Sequence, residues 1–259
     1  MRKWKKRNEK KKKEIVNNLL YNIITMISEA DRELLKRKRI EIVDNCHKCN
    51  GFGYVFSEEC ECIKRFNFEY EKVKANIPFI YRNYTLDDIG KSKFDDVKKV
   101  KAYIKNIDSN KKKSMGLLIS GGLQVGKATI ACVTLMELLK KGYKKCDFLE
   151  FQYLMKELYK QSKHAYTDED LDYRINNAEF LVINGISSEY CAYSEHNILE
   201  TNFKTIIKNR ISLGYPTILT STSINDKTGN SIHLKEELGD IFGKNFQSLL
   251  SKYFIDIRL

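Results

Sequence analysis

Proline is scarce in this chain, at two residues in 259, and there is a single tryptophan. One of the prolines, Pro78, drives Ile77 to extended backbone and ends the helical pattern before it. No apolar run approaches the roughly 18 residues of a membrane span, which excludes an α-helical membrane protein. The N-terminus carries no apolar h-region, so the expected compartment is the cytoplasm and no membrane partner is expected. Acids are also short: 34 Asp and Glu face 46 Lys and Arg, a formal charge of +12. That surplus favours an anionic partner, nucleic acid being the natural one, although a lysine-rich surface would equally serve solubility.

Seven cysteines do not make a disulfide framework here. Cys132, Cys146 and Cys191 are scattered singly and read as small apolar residues. The other four form two tight pairs, Cys46-x-x-Cys49 and Cys60-x-Cys62, with ten residues between them. The glycines of Asn50-Gly51-Phe52-Gly53 suit a tight turn between the pairs. Four thiolates suit tetrahedral zinc, and four protein ligands close the shell, so the site reads as structural. Such a metal contributes on the order of 10–16 kcal/mol of apparent binding energy to folding. Reduced buried cysteines or a redox pair are the rival readings. A C-x-C second half is less common, so His47 also stays open as a ligand.

The chain divides into four stretches. Residues 1–13 are nearly all basic and are expected to be a disordered tail, serving either a phosphate backbone or solubility. Residues 14–45 are helical by pattern: Ile15, Leu19, Ile23 and Ile27 recur every fourth residue, and Leu34 and Leu35 mark a second helix. That apolar stripe either closes on itself or docks a partner protein. Residues 46–75 hold the cysteine module and a charged linker helix over 63–73. Residues 76–259 form the main domain, where strands alternate with helices. Helices are expected over 94–107, 129–141, 153–163 and 197–212, and strands over 117–121, 145–151, 178–186 and 216–222. Residues 81–88 read as a turn and 109–114 as a polar linker. The alternation means α/β: a parallel sheet flanked by helices, with ligand at the carboxyl ends of the strands.

One stretch fixes what that ligand is. Leu117-Leu118-Ile119-Ser120-Gly121-Gly122-Leu123-Gln124-Val125-Gly126-Lys127-Ala128-Thr129 is a strand, a glycine-rich loop and a helix start. Gly121, Gly126 and Lys127 have P-loop spacing. Glycines turn successive N–H groups toward a phosphate, and the helix dipole and the lysine add positive charge. Ser or Thr should follow the lysine to hold magnesium, and Ala128 stands there. Thr129 is no ready substitute, because one helical step swings a side chain by about 100°.

The ordered set of motifs resembles the bacterial replicative helicase loaders of the DnaC/DnaI type, related to the IstB transposition helpers. The cysteine module with Asn50-Gly51-Phe52-Gly53-Tyr54, the segment Asn76-Ile77-Pro78-Phe79-Ile80-Tyr81-Arg82-Asn83, the P-loop, Phe180-Leu181-Val182-Ile183 as the Walker B strand, and Asn209-Arg210 with Pro216-Thr217-Ile218-Leu219-Thr220-Ser221 carry it. The resemblance implies an AAA+ fold, an N-terminal region that grips the replicative helicase, an ATPase domain that binds ATP and single-stranded DNA, and a loader-type assembly or homo-oligomer.

The departures cluster at one site. The two acids that should end the Walker B strand are Asn184 and Gly185, sensor 1 is Thr222, and the two arginine positions of the last motif are Asn245 and Leu249. An arginine finger alone is worth ~10³–10⁵ in rate. The implied nucleotide site is therefore Gly121, Gly122, Gly126, Lys127, Ala128 and Thr129, able to take ATP or ADP, with no magnesium site expected and hydrolysis weak or absent. Glu179 or Glu189 supplies the acid if the alignment is locally shifted. An active DNA-dependent ATPase and a non-enzymatic interaction protein or inhibitor of a host loader are the alternatives.

Overall fold

The computed structural model describes residues 28–90, 97–164, 168–187, 196–222, 238–239 and 242–259. The basic tail, the apolar stripe over 15–27, Cys191 and Glu189 lie outside them. The chain falls into two compact units, one up to Lys74 and one from Ala75.

In the first unit, Ser28 Oγ caps α1 (Glu29–Arg39) by accepting from the Asp31 N–H at 3.1 Å. A single wide turn, Ile40–Asp44, follows. β1 (Tyr54–Val55) and β2 (Glu58–Glu59) pair antiparallel, and α2 (Glu61–Lys74) closes the unit. Leu35, Val43, Phe66 and Val73 form its small core together with Cys49, Cys60 and Cys62.

The second unit is built on a parallel five-stranded sheet. Three short helices lead in: α3 (Leu86–Gly90), α4 (Val97–Lys105) and α5 (Ile107–Lys112). Then come β3 (Gly116–Gly121), α6 (Lys127–Lys140), β4 (Cys146–Glu150), α7 (Phe151–His164), α8 (Glu169–Asn177), β5 (Phe180–Ile186), α9 (His196–Ser212), β6 (Thr217–Thr222), α10 (Lys244–Tyr253) and β7 (Phe254–Arg258). Strand order is β4-β5-β6-β3-β7. This is the AAA+ P-loop arrangement, with β3 between β6 and β7. Leu118, Leu149, Leu181, Ile183 and Leu219 point to one face, against α7, α9 and α10. The alternate residues Leu117, Ile119, Phe148, Val182 and Ile218 are as deeply buried on the other face, where α6 lies. Among the described residues no helix is long and apolar enough to cross a membrane.

Three local expectations change. The turn over 81–88 contains the start of α3, because Thr85 and Asp88 cap each other: Asp88 Oδ2 accepts the Thr85 N–H at 2.8 Å, and Thr85 Oγ1 accepts the Asp88 N–H at 3.3 Å. The polar linker over 109–114 is mostly helix α5, held down by buried Ile107 at its start. The helix over 94–107 begins among the described residues at Val97 and ends at Lys105.

Candidate functional site

β3 ends at Gly121, and the chain turns through residues 122–126 into α6. A Cβ on Gly121 would stand 2.5 Å from the Leu259 carbonyl oxygen and 3.0 Å from Val125 Cγ2, so only glycine fits. Gln124 (φ 59°) and Gly126 (φ 93°) lie in the left-handed region, the conformation that lets successive N–H groups converge on an anion. The α6 N-terminus opens onto the same loop. Lys127 Nζ donates to the Gly121 carbonyl at 3.0 Å and to that of Gly122. The cation is folded over the loop, and its half-burial lowers its pKa. Ala128 and Thr129, in the first turn, are partly exposed.

Beside the loop, the ends of β4, β5 and β6 share one polar network. The parallel register sets Glu150 opposite Asn184. The Asn184 Nδ2 group donates to both carboxylate oxygens of Glu150, at 3.2 and 3.0 Å. Thr220 Oγ1 donates to Asn184 Oδ1 at 2.6 Å and accepts the Gly185 N–H at 2.9 Å. The Gly185 N–H is free for that bond because β5 bulges between Ile183 and Ile186, with Gly185 at φ 79°. Desolvation raises the Glu150 pKa, and the Asn184 amide partly offsets it. The Ala128 side chain has no oxygen to give and Asn184 Oδ1 is engaged by Thr220, so these two side chains do not fit a magnesium shell.

The remaining candidates scatter. Thr222 ends β6 in backbone register with Gly121, next to the loop. Asn245 is exposed on the first turn of α10, and Leu249 packs on the main core, where an arginine would be out of place. Glu179 sits at the amino end of β5 and pairs with Lys111 at 2.7 Å, so it is not an acid of this site.

In the first unit the sulfurs of Cys46, Cys49, Cys60 and Cys62 all lie within 4.8 Å of one another. The Cys46–Cys60 and Cys49–Cys62 separations are 3.9 and 3.4 Å. Tetrahedral ligands at about 2.3 Å from zinc would stand roughly 3.8 Å apart, so the donor set fits that ion. The Gly53 N–H points at Cys49 Sγ, 3.2 Å away, as a donor to a thiolate should. The Cys49 backbone N–H draws Cys46 down to about 6, while burial pushes Cys62 up. A divalent cation is what would let all four ionise together. His47 is exposed and outside the cluster.

Solved structures with the same fold are known. The crystal structure of the DnaC helicase loader superimposes with a TM-score of 0.57 at 21% identity, covering 70% of this chain and 99% of that one. The crystal structure of DnaI gives 0.53 at 20% identity, covering 70% and 93%. AMPPCP-bound DnaA from Aquifex aeolicus gives 0.52 at 16% identity, covering 70% of this chain and 51% of that one. The chain shares the AAA+ P-loop fold of these proteins. No protein-family model matches the sequence, and no curated protein is similar to it.

Glu150 is the functional candidate that sequence reasoning missed. It ends a strand read as plain, and no motif marks it. The signal that could have found it is positional: it is the last residue of a strand in a parallel sheet whose ligand end was already known.

Proposed function

We propose that this chain is a DNA replication protein of the helicase-loader type. The helical N-terminal region over 14–45 docks a replicative helicase, and a structural zinc at Cys46, Cys49, Cys60 and Cys62 holds the module over 46–75. Residues 76–259 bind ATP or ADP through the loop at Gly121, Gly122, Gly126 and Lys127, and bind single-stranded DNA, within a loader-type assembly. Hydrolysis is slow. One observation supports the reading most: a glycine-rich turn with left-handed Gln124 and Gly126 and Lys127 folded over it, on a fold shared with helicase loaders, beside positions 128, 184 and 185, whose side chains bring no acid. The +12 charge supports the polynucleotide partner.

Lys127→Ala is expected to weaken binding of a fluorescent ADP or ATP analogue by about tenfold or more, since a hydrogen bond to a charged group is worth ~1.5–3 kcal/mol. Unaltered affinity, or no binding by the wild type, would leave a protein that works by interaction alone. Gel filtration with a replicative helicase should give co-elution that is lost when residues 1–75 are removed, and separate elution of the intact chain counts against docking. A slow ATPase is favoured over a chain with no turnover by the carboxylate at the end of β4.

A further inference from the structure

The acid missing from β5 has a counterpart on the neighbouring strand. Glu150 and Asn184 are register partners on parallel strands, so their side chains leave the sheet on the same face. The amide of Asn184 holds both carboxylate oxygens of Glu150, and the Asn184 carbonyl oxygen is held in turn by Thr220. The same Thr220 hydroxyl fixes the Gly185 N–H. Four residues from three adjacent strands are thereby locked into one arrangement at the ligand end of the sheet.

The decisive geometry lies at Gly185. A Cβ built there would stand 3.8 Å from Glu150 Oε2, with no other heavy atom of the described residues inside 4 Å apart from the chain neighbours of Gly185. The Glu150 carboxylate thus lies against the space that a side chain at 185 would enter. Glycine at 185 and glutamate at 150 are complementary: the first leaves room and the second brings the charge. An asparagine at 184 suits this exchange, because its amide donates to a carboxylate where an aspartate would repel one.

We propose that Glu150 is the general base of the nucleotide site, supplied from β4 in place of an acid at the end of β5. This rests on the P-loop binding a nucleoside triphosphate. In the step it serves, the oxygen of a water bonds to the γ-phosphorus. The bond from that phosphorus to the β–γ bridging oxygen breaks, its electron pair leaves with ADP, and the water's proton goes to the Glu150 carboxylate. Asn184 and Thr220 are positioning residues that aim the carboxylate. Glu150 is exposed at the strand end, and the partial desolvation that raises its pKa makes it a better base than a fully solvated carboxylate. The site keeps a proton acceptor while lacking a magnesium ligand at 128 and an arginine at 245, which gives slow turnover.

The test uses the full chain with radiolabelled ATP, under single-turnover conditions, alongside nucleotide affinity. Glu150→Gln keeps the size and an oxygen for the Asn184 amide. It is expected to lower the hydrolysis rate at least about tenfold, the lower part of the range for general-base catalysis, with nucleotide affinity within about twofold of wild type. The wild-type rate should fall as pH drops through the raised Glu150 pKa, and Glu150→Gln should lack that limb. An unchanged rate in Glu150→Gln, with Lys127→Ala inactive, overturns the role of Glu150 and leaves the nucleotide site standing. Nucleotide binding with no wild-type turnover does the same. A wild-type chain that binds no nucleotide overturns both.

Discussion

Cys62→Ser is expected to reduce bound zinc from about one per chain to nearly none and to unfold the N-terminal unit. The core of that unit explains the size of the effect. Among the described residues its buried apolar side chains are Leu35, Val43, Phe66 and Val73, joined by three of the four cysteines themselves, with Ile42, Val55, Ile63 and Tyr70 partly buried against them. That is a small core for residues 28–74, of the size that in short domains is usually supplemented by a metal. Its β-ladder is two residues per strand, too short to stand alone. Metal binding, on the order of 10–16 kcal/mol, is therefore the largest single contribution to holding this unit together. Cys62 lies in the first turn of α2, and the cluster joins it to the turn holding Cys46 and Cys49. Losing one ligand therefore releases the helix as well as the ion. Metal analysis with far-UV circular dichroism and limited proteolysis should show residues 28–74 cleaved rapidly and the P-loop unit intact. A variant that is folded throughout and metal-free would refute the structural role.

The elements that could be read from the sequence are those whose signal is local. β3 to β6 are apolar runs in a buried parallel sheet, and a ladder covered on both faces gives a continuous hydrophobic stretch. The four thiols were legible because one ion must be reached from nearby chain positions, which fixes their spacing. The P-loop was legible because a tight anion nest requires glycine at set positions. β7 was not read as a strand, since it carries Asp256 and Arg258 at the sheet edge. α8 was missed because only Leu171 and Ile175 of its nine residues are buried. Glu150 was hidden for a different reason: 34 positions separate it from Asn184, and only the β4–β5 register makes them neighbours. The network at the strand ends is a property of the sheet order, which no single motif encodes. Asn184 and Gly185 were legible as departures, but what accompanies them was not.

Arg210→Met is expected to cost about 3–5 kcal/mol, among the larger effects a single substitution produces, and to lower the melting temperature of the P-loop unit by roughly 10 °C. In sequence Arg210 was a basic residue of a long helix and part of the Asn209-Arg210 motif that carries the family resemblance, with no structural role read for it. In the structure it is fully buried, with 0% exposure. Its Nε donates to Thr217 Oγ1 at 2.9 Å, and its terminal nitrogens to the carbonyls of Ile175 at 2.5 Å and Pro216 at 3.2 Å. One guanidinium therefore ties the end of α9 to α8 and to the start of β6. Burial draws its pKa down to about 9, with Asp147 opposing, so the group is still charged at neutral pH. Methionine fills similar volume but takes away the guanidinium donors of the Ile175 carbonyl and the Thr217 hydroxyl, and leaves the Pro216 carbonyl only the Leu181 N–H at 3.4 Å among the described residues, at ~1–3 kcal/mol for each buried group left unpaired. Arg210→Lys should also destabilise, because one ammonium cannot span three acceptors that the planar fork reaches at once. A melting shift under about 2 °C for Arg210→Met would show that the site relaxes around the loss. The link to function runs along β6: Thr217 is fixed by Arg210 at one end of the strand, and Thr220, three residues on, holds Asn184 and Gly185 at the other. A looser β6 start should therefore weaken the aim of Glu150 while leaving the phosphate nest on β3 in place, so nucleotide should still bind to whatever fraction of Arg210→Met remains folded, and its hydrolysis should slow.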